Sequence, residues 1–377
     1  MSLKKKGSEK NNALELKGMV YKIGKILGLY ADTEVNKFTA NLLFDKEYIP
    51  EVDAVWYLDN SQKLNLDLIK ETLKEINIYF IQYLPLVGFE IEASDPTSKT
   101  QISNAANLYV QHYPFGFLVI DEEKGNKDLY RRAARILRTF RFQFGQVNYF
   151  PLSKRQLISL LNYDWKENLN ETYPLEKKQY SKGAGGESQK SEVIRKKLIK
   201  IGEKAGFTIY TDWSPEDLNL DFKLRKKILH SIENPKNFQM RFLGSEVSSN
   251  PNESKLIKRW NDFYIRPKID VNWCIGLPLR FIEFMEQITK LDDDFVYNLP
   301  IYKNLKEPYP IIGFEIESST GKHAGGGILN LSRYVHFGFL VVEKKNKEAL
   351  IRKIKTYSRN LGINNVYPLT FEEIESI

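Results

Sequence analysis

The pattern of apolar and polar positions runs through helical and strand periods in a fixed succession, and the chain runs through that succession twice. Leu16, Met19, Val20, Ile23 and Leu27 recur at helical spacing and predict a helix over 13–30 that stops near Gly28. Its Lys22-Ile23-Gly24-Lys25 segment returns as Lys200-Ile201-Gly202-Glu203, before Ala205-Gly206-Phe207. A proline break then opens a short strand, Pro50-Glu51-Val52-Asp53-Ala54-Val55-Trp56, whose counterpart is Pro267-Lys268-Ile269-Asp270-Val271-Asn272-Trp273. Helices are expected to follow at 64–77 and 278–290. Next come the apolar runs Leu84-Pro85-Leu86-Val87 and Pro310-Ile311-Ile312, which read as buried strands. They lead into Gly88-Phe89-Glu90-Ile91-Glu92-Ala93-Ser94 and Gly313-Phe314-Glu315-Ile316-Glu317-Ser318-Ser319.

After each of these lies a polar turn and a short helix. The first carries Lys99, Ile102, Asn104, Asn107 and Leu108; the second carries Lys322, Gly325, Gly326, Gly327, Ile328, Asn330 and Leu331. Phe115-Gly116-Phe117-Leu118-Val119-Ile120 matches Phe337-Gly338-Phe339-Leu340-Val341-Val342 as a further buried strand. The apolar stripe Leu129, Ala133, Ile136, Phe140 of the next helix matches Leu350, Ile354, Tyr357, Leu361. Both units close alike, at Tyr149-Phe150-Pro151-Leu152-Ser153 and Val366-Tyr367-Pro368-Leu369-Thr370. So many landmarks in one order make the chain a tandem duplication. Residues 1–12 are expected to be a disordered tail, 13–170 the first domain, 171–190 a linker, and 191–377 the second domain with an insertion at about 211–266. Each unit reads as α/β, a central mixed sheet flanked by helices.

Composition narrows the chemistry. The single cysteine, Cys274, excludes a disulfide framework or a Cys-rich zinc site within one chain, and four histidines disfavour a His-rich metal site. A net charge of +8 suits a phosphate-rich partner as well as plain solubility. No run approaches the roughly 18 apolar residues of a membrane span, and the start of the chain lacks the apolar core of a signal peptide, so a cytoplasmic protein is expected.

Alternation along a strand places Glu90 and Glu92 on one face, with Phe89 and Ile91 on the other. Neighbouring carboxylates repel unless a cation or a proton lies between them. With Asp53 on the preceding strand, Glu90 and Glu92 form a three-carboxylate set; Asp270, Glu315 and Glu317 form its copy. Oxygen-only ligands favour a hard cation, Mg²⁺ or Mn²⁺. A solvated strand face is the plainer account of one such Glu-Ile-Glu segment; two copies in the same apolar context weigh against it.

Pro-x-x-Asp followed by a core strand Glu-x-(Lys/Glu), a helix and a strand resembles the PD-(D/E)XK superfamily, the restriction-endonuclease-like fold. Asp-x-x-Trp and Gly-Phe-Glu-Ile-Glu-Ser-Ser-Thr resemble its restriction and mobile-element branches. The resemblance covers both units outside the termini, linker and insertion. It implies two tandem restriction-endonuclease-like domains and Mg²⁺- or Mn²⁺-dependent hydrolysis of DNA, with Asp53, Glu90, Glu92, Asp270, Glu315 and Glu317 at the metal. The superfamily's usual lysine is replaced by Glu92 and Glu317; Lys99 and Lys322 are candidates to supply the missing cation.

Arg131, Arg135 and Arg138 share one helix face, echoed by Arg352 and Arg359, and Arg225-Lys226-Lys227 lies in the insertion. These are candidate phosphate contacts, with an ordinary solvated basic face as the alternative. The expected function is a restriction-type endodeoxyribonuclease acting on DNA as an internal pseudo-dimer, with a methyltransferase as a possible companion. The alternative is a catalytically inactive nucleic-acid-binding or scaffolding subunit.

Overall fold

The computed structural model describes residues 2–35, 51–74, 76–93, 97–111, 113–122, 127–144, 148–165, 171–176, 188–213, 269–290, 305–306, 308–317, 322–361, 363 and 365–377. By contacts the chain divides into a unit of Met1–Trp213 with Ile269–Ile377, which holds both repeats, and a unit of Ser214–Lys268. The insertion, with Arg225, Lys226 and Lys227, lies outside the described residues, as does the glycine-rich part of the linker.

The first repeat runs α1 (Ser2–Ile26), β1 (Tyr30–Val35), β2 (Val52–Asp59), α2 (Leu66–Thr72), α3 (Tyr79–Gln82), β3 (Tyr83–Glu92), α4 (Ser98–Val110), β4 (Phe115–Ile120), α5 (Lys127–Phe144), β5 (Asn148–Ser153) and α6 (Lys154–Leu161). The second runs α7 (Gln189–Lys204), β6 (Thr208–Trp213), β7 (Ile269–Ile275), α8 (Leu279–Lys290), β8 (Tyr309–Ile316), α9 (Lys322–Tyr334), β9 (Phe337–Val342), α10 (Lys347–Leu361) and β10 (Val366–Thr370), and ends in a short helix, Phe371–Glu375. Several segments differ from the sequence reading. Strands β1 and β6 were not expected: Tyr30, assigned to the first helix, opens β1, and Thr211 to Trp213, assigned to the insertion, pair with β7 as the end of β6. Residues 2–12, expected to be a disordered tail, are the beginning of α1. The helix expected over 64–77 ends at Thr72, where the Leu73 N–H closes on the Ile69 carbonyl; Asn77 then accepts from the Tyr79 N–H and favours a turn. Gly28 and Gly206 follow α1 and α7 in the left-handed conformation, at φ 74° and 95°.

Each repeat builds a five-stranded sheet, in the orders β1-β2-β3-β4-β5 and β10-β9-β8-β7-β6. The first three strands of each repeat pair antiparallel. The described pairings of the remainder, β3-β4-β5 and β8-β9-β10, are parallel, so a helix must carry the chain between them. Register shifts fall between Trp56 and Tyr57 and between Trp273 and Cys274. Pro85 and Pro310 lie opposite those steps, and a proline has no N–H to give the ladder.

The apolar faces sort into one shared core and two outer clusters. Trp56, Phe89 and Phe117 of the first sheet and Trp273, Phe314 and Phe339 of the second belong to the same buried core. On its other face the first sheet packs Val55, Leu118 and Ile120 against Leu108, Ala133 and Leu137 of α4 and α5. The second does the same with Ile269, Leu340, Ile328 and Ile354. The repeats also grip each other. Phe284 of α8 packs edge-on to Trp56, and Phe281 to Phe115, with ring centroids 5.1 Å apart in both pairs. Arg280 donates to the Ile26 carbonyl at the end of α1, and the Asn65 N–H before α2 donates to the Ala205 carbonyl at the end of α7. Among the described residues no helix is long and apolar enough to cross a membrane.

Candidate functional site

The alternation read from sequence holds at the central strands. Phe89 lies in the shared core with Ile91 packed against it, while Glu90 and Glu92 turn toward α4. The Asn107 amide donates to Glu90 Oε1 at 3.1 Å, and the Asn104 amide donates to Glu92 Oε1. Both carboxyls are nearly sealed from solvent, at 5% and 4% exposure. Burial, then the Asp53 charge, pushes Glu90 up to about 9 despite the Asn107 bond. Burial also pushes Glu92 up to about 7, against the opposing pull of Asn104 and Arg132.

Asp53 joins them from β2. Its Oδ2 accepts the Ile91 N–H at 2.7 Å, which ties the strand of the aspartate to the strand of the glutamates. Its Oδ1 meets Lys17 Nζ at 2.9 Å. The second repeat repeats this geometry. Asp270 Oδ2 accepts the Ile316 N–H at 2.7 Å, and Asp270 Oδ1 meets Arg195 Nη2 at 2.9 Å. Burial, followed by the charges of Asp270 and Glu317, pushes Glu315 up to about 9, while Asn330 bonds it from α9. Glu315 Oε1 is buried with no hydrogen-bond partner.

Lys17 and Arg195 were not anticipated. Each lies seven residues before the glycine of the repeated Lys-Ile-Gly segment, Gly24 or Gly202, so superposing the repeats pairs them. Lys99, proposed as the missing cation, is exposed in the first turn of α4 and forms no described bond to Glu90 or Glu92. Lys322 begins α9, and its side chain lies outside the described residues. Arg131 and Arg135 are exposed on α5, and Arg352 and Arg359 on α10; the side chain of Arg138 is not among those described.

No protein-family model, curated protein or solved structure matches this chain.

Among the described residues, no three His, Cys, Asp or Glu side chains are drawn together as a ready-made metal cage. The donor set nevertheless fits a hard divalent cation. It consists of carboxylate oxygens, burial holds the protons of Glu90 and Glu315 well above the usual range, and Glu315 Oε1 is a buried oxygen with no hydrogen-bond partner. Asp53, Glu90 and Glu92, or Asp270, Glu315 and Glu317, would hold the ion.

The two clusters are not copies in every atom. Asn104 lies three residues before Asn107, and the residue in that place before Asn330 is Gly327. A Cβ on Gly327 would stand 3.5 Å from Glu315 Cβ, so this helix carries no side chain there to cap the strand. Gln101, which accepts from Arg132 Nε in the first repeat, is replaced by the buried Ala324.

Proposed function

We propose that this chain is a Mg²⁺- or Mn²⁺-dependent endodeoxyribonuclease of restriction type, with two restriction-endonuclease-like units acting as an internal pseudo-dimer. The observation that carries this reading is the recurrence of one arrangement. An aspartate is fixed by a backbone N–H of the neighbouring strand, beside a glutamate whose carboxyl burial pushes up to about 9. Burying neighbouring carboxyl groups costs stability, and a site that receives a cation recovers part of that cost.

When bound, the divalent cation supplies positive charge against the phosphate oxygens. The remaining work falls to the chain. Asp53 and Asp270 are oriented by their Ile91 and Ile316 N–H bonds. Glu90 and Glu92 would share the ion with Asp53, and the attacking water gives up its proton to bulk solvent. The water oxygen bonds to phosphorus, the bond from phosphorus to the sugar oxygen breaks, and that oxygen takes a proton from solvent. The exposed arginines of α5 and α10 supply phosphate contacts. Two similar units in one chain suit the two antiparallel strands of duplex DNA. A methyltransferase that protects host DNA is the natural companion of such an enzyme.

One observation favours a second reading. Lys17 and Arg195 already meet the two aspartates, as expected of an inactive nucleic-acid-binding subunit that needs no metal. Plasmid cleavage in Mg²⁺ or EDTA separates the two. Metal-dependent fragments from wild type and silence from a protein carrying both Asp53→Ala and Asp270→Ala support the nuclease. Wild type that binds DNA but cuts no plasmid with either metal supports the binding subunit.

A further inference from the structure

Of the eight large hydrophobic side chains exposed among the described residues, three gather at one place, beside the last turn of α1: Tyr21, Tyr30 and Tyr79, at 41%, 46% and 38% exposure. The ring of Tyr30, which opens β1, lies 5.9 Å from that of Tyr57 and 5.7 Å from that of Tyr83. Tyr79 of α3 lies 5.1 Å from Tyr83. Tyr57 is buried and Tyr83 half-buried, so they form a floor between the two exposed rings. Lys25 is exposed and sets its ammonium over two of the rings, 5.3 Å from the centroid of Tyr30 and 5.4 Å from that of Tyr21. It has no ion-pair partner among the described residues. Lys22 is exposed one turn earlier. The acids on the neighbouring strands, Asp32 and Asp59, accept from the Thr33 N–H and from Ser61.

The fold does not require this cluster. Superposing the repeats on Gly24 and Gly202 puts Ile199 in the place of Tyr21, Glu203 in that of Lys25 and Thr208 in that of Tyr30, and the residue after Trp273 is Cys274 where Tyr57 follows Trp56. We propose that the cluster is a stacking platform for single-stranded DNA, with one base on Tyr30, one on Tyr79, and Lys25 and Lys22 at the phosphates. An aromatic face accepts any base, and an ammonium held over the rings lies where the backbone of a stacked strand passes. Lysine is depleted at protein–protein interfaces, so an unpaired one amid exposed rings suits a polyanion better than a protein partner. Tyr57 and Tyr83 lie on the sheet face that carries Glu90 and Glu92. Asp53 precedes Tyr57 on β2 by four residues, about 13 Å of strand. A strand stacked on the tyrosines is thereby led past the first carboxylate cluster. The consequence for cutting, a preference for DNA with an unpaired segment beside the cut, rests on the nuclease reading; the binding itself does not.

The test is fluorescence anisotropy of labelled oligo(dT) and of a blunt duplex, titrated with the full chain in EDTA. Wild type is compared with Tyr30→Ala, Tyr79→Ala, Tyr30→Phe and Lys25→Gln, and melting temperatures show that each variant is folded. Tyr30 and Tyr79 lie on separate elements, so the test survives a loss of folding at either one. Each alanine variant should weaken oligo(dT) binding about tenfold and leave duplex binding unchanged. Tyr30→Phe keeps the ring and should keep the affinity. Lys25→Gln should weaken binding severalfold and flatten its dependence on salt. In Mg²⁺, a duplex with a single-stranded tail should be cut faster than a blunt one, and Tyr79→Ala should remove the difference. No oligo(dT) binding, or binding that both alanine variants retain, overturns the platform. Self-association in sedimentation that Tyr30→Ala abolishes makes a second copy the occupant and overturns it as well. Tyrosine-dependent oligo(dT) binding by a protein that cuts no DNA sustains the platform and overturns the nuclease reading. Metal-dependent cutting by a protein that binds no oligo(dT) does the reverse.

Discussion

The indole of Trp56 lies directly across Gly24: a Cβ built on that glycine would stand 2.6 Å from the indole Nε1, which donates to the Val20 carbonyl one turn earlier. Trp273 closes on Gly202 and the Leu198 carbonyl in the same way. Both indoles are fully buried, so the side chain has nowhere to retreat. A glycine inside a helix costs about 1 kcal/mol relative to alanine, and the close approach of the ring is what offsets it. Gly24→Ala and Gly202→Ala should therefore each destabilise the protein by about 1–3 kcal/mol, despite the better helix former. Urea midpoints check this; an increase in stability would show that the ring yields.

Glu90 is the natural test of site electrostatics. Its proton is held up to about 9 mainly by burial, so the folded chain keeps a proton that the unfolded chain releases near 4.5. Its contribution to stability is therefore greatest below pH 4.5 and declines as pH rises from there toward 9. Glu90→Gln removes this decline. Without metal, the variant should gain on wild type by at least about 1.4 kcal/mol between pH 5.5 and 8.5. Parallel urea curves at those two pH values in EDTA measure it, and a constant difference would mean that the carboxyl ionises freely.

Phe284 binds the repeats together, touching Trp56 and Phe117 of the other repeat as well as its own neighbour Phe281. Phe284→Ala should cost about 3–5 kcal/mol. Residues 13–170 expressed alone would expose the faces of Trp56, Phe115 and Phe117 that α8 covers, and they should fail to give a cooperative unfolding transition. A sharp calorimetric transition from that fragment would contradict the shared core.

Asn365 is buried, and its amide donates to the carbonyls of Ser332 and Val335 at the end of α9. Those carbonyls have no later helical N–H to accept. Asn365→Ala should cost about 1–3 kcal/mol by stranding them, measured as a lower melting temperature with metal-independent secondary structure intact.

Much of this was legible in local pattern. The apolar runs and their glycine and proline boundaries located the strands from β2 to β5 and from β7 to β10, while the polar edge strands β1 and β6 were missed; alternation put Glu90 and Glu92 on one face because a strand has a period of two. What escaped had no local signature. Lys17 meets Asp53 only because β2 lies beside α1, and the Trp56 indole that fixes this packing looks like any core tryptophan in sequence. Superposing the repeats held the missing signal: Lys17 and Arg195 share a place relative to Gly24 and Gly202. The shared core was hidden for another reason. Phe281 and Phe284 form an ordinary apolar helix stripe, and nothing in a stripe says which repeat it will cover. The early start of α1 contradicts a composition argument, because Lys-rich segments are compatible with helix as well as with disorder.

The grip of α8 on the first sheet has a consequence for how such a chain ages. In a pair of independent domains, a copy that stops working is free to decay and be deleted. Here each half is part of the other's interior, so a half that has lost its chemistry is still needed as a wall. A change at the carboxylates of one repeat leaves the packing of Trp56 and Phe115 against α8 in place, whereas loss of that repeat's sheet would uncover the other's core.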